Sequence, residues 1–65
     1  MQILLNGESR DCVAGDLAAL IDELGLASAR VATALDGDFV AVRARGSAAL
    51  RPGSSVEIVG PMQGG

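Results

Sequence analysis

The sequence contains no histidine, lysine, tryptophan or tyrosine, and its only aromatic residue is Phe39. A hydrolytic or acid–base active site normally pairs a nucleophile with a titratable base. Those pairs cannot be assembled here, so no catalytic residue is assigned and the chain is not expected to be an enzyme. Cys12 is the single cysteine. An internal disulfide is therefore impossible, and zinc or iron–sulfur sites lack their usual ligand sets. Cys12 reads as a small buried hydrophobe, with a reactive thiol as the alternative. Without lysine, the chain has no side-chain amine to accept an isopeptide bond and cannot build polymers on itself. No apolar run approaches the roughly 20 residues that span a bilayer. Polar residues follow Met1 too soon for a secretory leader, so the expected compartment is the cytoplasm.

The charges are also one-sided. Five basic residues stand against eight acidic ones, for a net charge of −3. Nucleic-acid affinity comes largely from phosphate neutralisation, so that partner class is disfavoured, whereas a basic protein partner is permitted. The carboxylates do not form a site. Asp36 and Asp38 flank a turn glycine, and Asp22 and Glu23 belong to a polar helix face, so both pairs read as solvated charge. "DGD" alone lacks the rest of a calcium loop, and no metal ligand is assigned. The glycines of "NGE", "DGD" and "RPG" are explained by turns; none joins a strand to a helix with phosphate-loop spacing.

What is present is aliphatic. Hydrophobic residues make up 49% of the 65 positions, enough for one small folded domain. "MQILLN" alternates as a strand, with Met1, Ile3 and Leu5 on one face and Gln2, Leu4 and Asn6 on the other. Asn6-Gly7 is a strong hairpin signal because both residues tolerate positive φ. "SRDCVA" is the returning strand, with its inward face ambiguous between Arg10/Cys12 and Asp11/Val13. In "GDLAALIDELG", Leu17, Leu20, Ile21 and Leu24 form one helical stripe, Asp16 is a good N-cap and Gly25 suits the left-handed C-terminal position. "RVATAL" and "FVAV" are strands joined by the turn at residues 36–38. "RARGSAAL" reads as an irregular loop with one helical turn at most. "RPG" is a turn, and "SSVEIV" is the last strand, with Val56 and Ile58 inward and Glu57 and Val59 outward.

Strand, strand, helix, strand, strand, strand is an α+β order in which two hairpins flank one helix. Placing the first and last strands side by side gives a ubiquitin-like β-grasp, a mixed sheet of four to five strands packed on the helix. The expected division is a β-grasp domain over residues 1–60 and a flexible C-terminal tail over residues 61–65. That tail, "PMQGG", raises the functional question. Glycine lacks Cβ, so extended Gly-Gly can thread a channel too narrow for side chains. Five residues reach at most about 17 Å at roughly 3.3–3.6 Å each. Gln63, Gly64 and Gly65 would then enter a partner's active site while the domain docks outside. Adenylation by ATP turns a carboxylate into a mixed anhydride, which a sulfur nucleophile can convert to a thiocarboxylate. Leu4 and Val59, outward on the two central strands, and Phe39 with them, form the candidate partner-docking patch.

"MQILLNGE" at the start, "VATALDGDFV" in the middle, and "VEIV" followed by a short linker and "QGG" resemble the ThiS family of thiamine-biosynthesis sulfur carriers along nearly the whole chain. The resemblance implies that a ThiF-like adenylating enzyme consumes ATP to activate Gly65, with no cofactor bound by the chain itself. It implies a persulfide sulfur donor and a ThiG-like thiazole synthase as the acceptor. The sequence departs from the family pattern at Val42-Arg43, where Pro-Arg is common, and at Pro52-Gly53-Ser54, where Asp-Gly-Asp is common. Pro61 is also similar to the MoaD-like small subunit of molybdopterin synthase, a relative with the same tail chemistry. Two other classes differ in their tests. A protein-modifying tag would leave adducts on other proteins' lysines, and a passive β-grasp interaction module would function without its tail.

Overall fold

The computed structural model describes residues 1–60. Strands β1 (Gln2–Leu5) and β2 (Glu8–Asp11) form the first hairpin, followed by helix α1 (Leu17–Glu23). The second hairpin, β3 (Ala32–Leu35) and β4 (Asp38–Val40), leads through a 3-10 helix (Val42–Ser47) to β5 (Ser55–Val59). The sheet order is β2-β1-β5-β3-β4. The central pair β1–β5 is parallel and the other three pairings are antiparallel. This mixed five-stranded sheet with one helix is the ubiquitin-like β-grasp.

Both hairpins close through two-residue turns in which each residue has positive φ: 51° at Asn6 and 84° at Gly7, then 50° at Asp36 and 89° at Gly37. These signs define the type I′ turn, whose twist matches that of the flanking strands. Asn and Asp are the non-glycine residues that most readily adopt them. Helix α1 starts where Asp16 Oδ1 accepts the Ala19 N–H at 2.8 Å. It ends at Leu24, with Gly25 in the left-handed region at φ 75°.

The core lies between α1 and the inner face of β1 and β5. Ile3, Leu17, Leu20 and Val56 are essentially fully buried, with Cys12, Ala14 and Leu50 beside them. Burying each large aliphatic side chain contributes roughly 1.5–3 kcal/mol, so these four residues dominate the stability of a chain with almost no aromatic surface. Cys12 is a free thiol inside this cluster.

Several boundaries differ from the sequence reading. β2 stops at Asp11, and all four of its residues are exposed. Beyond it, Cys12 and Ala14 turn inward while Val13 is 92% exposed. Pairing with β1 runs as far as Met1, which exchanges backbone bonds with Cys12 in both directions, and beyond it the Glu23 carboxylate takes over. It accepts the Val13 N–H at 3.1 Å and the Ala14 N–H at 2.9 Å, supplying the partners a longer strand pairing would have given. β3 begins at Ala32 rather than Arg30, and β4 spans Asp38–Val40 rather than reaching Val42, which opens the 3-10 helix. The stretch expected to be irregular carries that six-residue 3-10 helix and a single bridge from Ala49 to Asp16.

Candidate functional site

Strand alternation places Leu4, Phe39 and Val59 on the sheet face opposite α1, since Ile3, Val40 and Ile58 beside them pack toward the core. Leu4 is 42%, Val59 60% and Phe39 73% exposed. Register then shows how they are arranged. Leu4 is level with Ser55 and Val59 with Ala32, while Ala34 pairs with both Glu57 and Phe39. The exposed Glu57 therefore lies on β5 between the levels of Leu4 and Val59, which are roughly 13 Å apart along the strand. The three apolar residues share one face, and a carboxylate stands among them.

The last strand is held at both ends by turn side chains. Asn6 Nδ2 donates to the Ile58 carbonyl at 3.2 Å, and Asn6 Oδ1 accepts the Ile58 N–H at 2.9 Å. At the other end, Asp36 Oδ1 accepts the Ser55 N–H at 2.9 Å while the Asp36 N–H donates to the Ser55 carbonyl at 2.7 Å. The chemistry fits the residue types. Asn6 must both donate and accept with its side chain, which an amide does and a carboxylate cannot. Asp36 needs only an acceptor there, because its backbone supplies the donor. Both residues are in the left-handed conformation, so each does two jobs, forming the turn and fixing β5. Their combined effect is to define where Val59 and Gly60 leave the sheet.

Two concavities meet at Gly60. One, of about 540 Å³, is lined by Arg30, Val31, Val42, Arg45 and Val59 among others. The other, of about 360 Å³, is lined by Leu5, Asn6, Leu24, Leu26, Val31 and Ile58. Arg45 is only 7% exposed. Its Nε–H donates to Thr33 Oγ1 at 3.0 Å and its Nη2 to the Val31 carbonyl at 2.7 Å. Thr33 Oγ1 in turn donates to the Val40 carbonyl at 2.7 Å. Among the described residues no group of three or more potential metal ligands comes together, and no helix is long and apolar enough to cross a membrane.

The tail residues Gln63, Gly64 and Gly65 lie outside the described residues, as does the whole of residues 61–65. The sequence model of the ThiS family, however, matches residues 3–65 and so runs through the Gly-Gly pair. The chain belongs to the ThiS family. A crystal structure of the thiamine biosynthesis protein ThiS from Geobacter metallireducens superposes with a TM-score of 0.83 at 25% identity, covering 100% of both chains. A search of curated protein sequences gave no match. Membership in the ThiS family supports a sulfur-carrier role in thiamine biosynthesis, in which the chain is a small protein substrate.

Sequence reasoning placed the outward apolar residues but missed Arg45, and it read Asn6 and Asp36 only as turn formers. Arginine is by default a surface residue, and nothing in "RARGSAAL" separates the buried Arg45 from Arg43. The bonds of Asn6 to Ile58 span 52 positions, a separation at which no local pattern operates.

Proposed function

We propose that this ThiS-family chain carries sulfur on the carboxyl group of Gly65. A ThiF-like enzyme joins that carboxylate to the α-phosphate of ATP, releasing pyrophosphate and leaving an acyl adenylate. A persulfide sulfur attacks the acyl carbon and AMP leaves. Cleavage of the remaining S–S bond by a thiol reductant frees the thiocarboxylate, whose sulfur a ThiG-like thiazole synthase takes for the thiazole ring. The chain contributes no catalytic side chain. It contributes a docking body and a tethered carboxyl group, with the tether raising the local concentration of that group. Leu4, Val59 and Phe39 provide the apolar part of the landing surface, and Gln63, Gly64 and Gly65 enter the partner's channel.

The observation carrying this reading is the family match across residues 3–65, which includes both terminal glycines. The fold supports it, because β5 leads directly into Gly60. The test is intact-mass spectrometry after incubation with ATP, the cognate adenylating enzyme and a persulfide donor. Replacement of one oxygen by sulfur is expected. A competent partner that leaves the mass unchanged overturns the proposal.

A further inference from the structure

The concavity containing Arg45 has an unusual electrostatic character for this molecule. The chain carries a net charge of −3, yet among the described residues two arginines and no acidic residue line this space. Among the described residues, no carboxylate lies within ion-pair distance of Arg45. Its guanidinium, always charged, has been taken largely out of water, and removing a charge from water without a counter-charge is unfavourable. Two of its five N–H groups are occupied, by Thr33 and Val31. Nη1 has no hydrogen-bond partner among the described residues. Arg45 lines the concavity together with Val59 and Gly60. Nε and Nη2, the two donors of one edge, hold the guanidinium in place, and Arg30, also on the lining, adds a second positive charge.

We propose that this notch is an anion-recognition site at the base of the tail, and that its occupant is a carboxylate side chain of the adenylating partner, flanked by an apolar residue that packs on Val42 and Val59. The proposal rests on the sulfur-carrier reading and adds a specific contact to it. The position favours a protein carboxylate over nucleotide phosphate. Activation takes place at the carboxyl of Gly65, five residues beyond Gly60, which is up to about 17 Å from the notch when the tail is extended. A partner that receives the tail must pass over its base, where a fixed guanidinium edge matches the planar fork of a carboxylate. The contact also sets register, since a buried arginine cannot follow a misplaced carboxylate.

The experiment measures the affinity of the full chain for its cognate adenylating enzyme by calorimetry at low and moderate salt. Arg45→Met and Arg30→Glu are compared with wild type, and Arg45→Lys tests whether charge without the fork suffices. Removing one side of a hydrogen-bonded interfacial charge pair should weaken binding by at least about tenfold for Arg45→Met, with a shallower salt dependence, and Arg45→Lys should recover only part of the loss. Because Arg45→Met also removes internal hydrogen bonds, Arg30→Glu supplies the independent reading. It changes the charge of the notch at an exposed position and should weaken binding several-fold at unchanged thermal stability. Wild-type affinity in both Arg30→Glu and a folded Arg45→Met overturns the notch while leaving sulfur charging of wild type intact. A wild-type chain that neither binds nor is charged overturns both readings. A third arm compares the Arg45 Nε–H resonance of the free full chain with that of a version amidated at Gly65. Identical shifts are expected. A difference means the notch holds the chain's own terminal carboxylate and overturns the partner assignment.

Discussion

Replacing Asn6 tests how the tail base is fixed. Its side chain makes two hydrogen bonds to Ile58 while its backbone sits at φ 51°. Asn6→Gly keeps the conformation at no steric cost and deletes both bonds. At about 0.5–1.5 kcal/mol net for each bond, the expected loss is roughly 1–3 kcal/mol. Asn6→Ala deletes the same bonds and adds the left-handed penalty of about 1–2 kcal/mol, for roughly 2–5 kcal/mol. Asn6→Asp tolerates the turn and keeps the acceptor for the Ile58 N–H, but it loses the donated bond and turns a carboxylate oxygen toward the Ile58 carbonyl, for roughly 1–2 kcal/mol. Against a total stability of about 3–10 kcal/mol for a chain of this length, the alanine variant should lose roughly half of it. The order expected in urea and thermal unfolding is wild type, Asp, Gly, Ala. At about 4–8 °C of Tm per kcal/mol for a domain of this size, the steps are resolvable. Backbone order parameters at Ile58, Val59 and Gly60 should fall in the glycine variant while those of β3 hold near 0.85. Wild-type stability and order in Asn6→Gly would falsify the clamp. Equal stability of the glycine and alanine variants would instead show that the positive φ carries no cost.

Other perturbations separate fold from function. Leu20→Ala removes a fully buried side chain and should cost about 2–5 kcal/mol, read as a lower urea midpoint at unchanged slope. Leu4→Asp, on the outer face, should weaken adenylating-enzyme binding about tenfold while Tm changes by only a few degrees; unchanged affinity removes Leu4 from the docking surface. Gly64→Ala should slow ATP–pyrophosphate exchange by about a hundredfold if a methyl group misplaces the carboxyl by about 1 Å, with an unchanged unfolding midpoint. Normal rates would make the missing side chain at 64 incidental.

The elements legible in the sequence were those fixed by short-range chemistry. Asn6-Gly7 and Asp36-Gly37 are turns because few other residues accept two successive positive φ values. The spacing of Leu17, Leu20, Ile21 and Leu24 left one side of α1 to bury. Outward placement of Leu4 and Val59 followed from period-two alternation once β1 and β5 were central. Less legible were features set by what lies across the fold. β2 shows no inward face because the sheet edge it occupies is uncovered, and beyond its end the Val13 and Ala14 N–H groups are taken by a carboxylate from the far end of α1. Arg45 enters the interior because Thr33 on β3 and Val31 just before it present an oxygen each. Glu57 was read as outward, but its position among Leu4, Val59 and Phe39 required the register of three strands.

The placement of the polar contacts fits the proposed role as a tethered substrate. Apolar packing around Leu17, Leu20, Ile3 and Val56 is non-directional, so it stabilises the domain without fixing the angle at which β5 ends. Hydrogen bonds are directional, and those of Asn6 and Asp36 act on β5 from two sides while Arg45 ties the 3-10 helix to β3 beside it. A carboxyl group at the end of a short tether gains effective concentration only when the tether's span matches the distance from the docking surface to the reacting atom. An error in the direction of Gly60 is carried to the far end of a segment with a reach of up to about 17 Å. In the proposed role, the precision this chain would offer an adenylating enzyme is concentrated in the few polar bonds that aim its last strand.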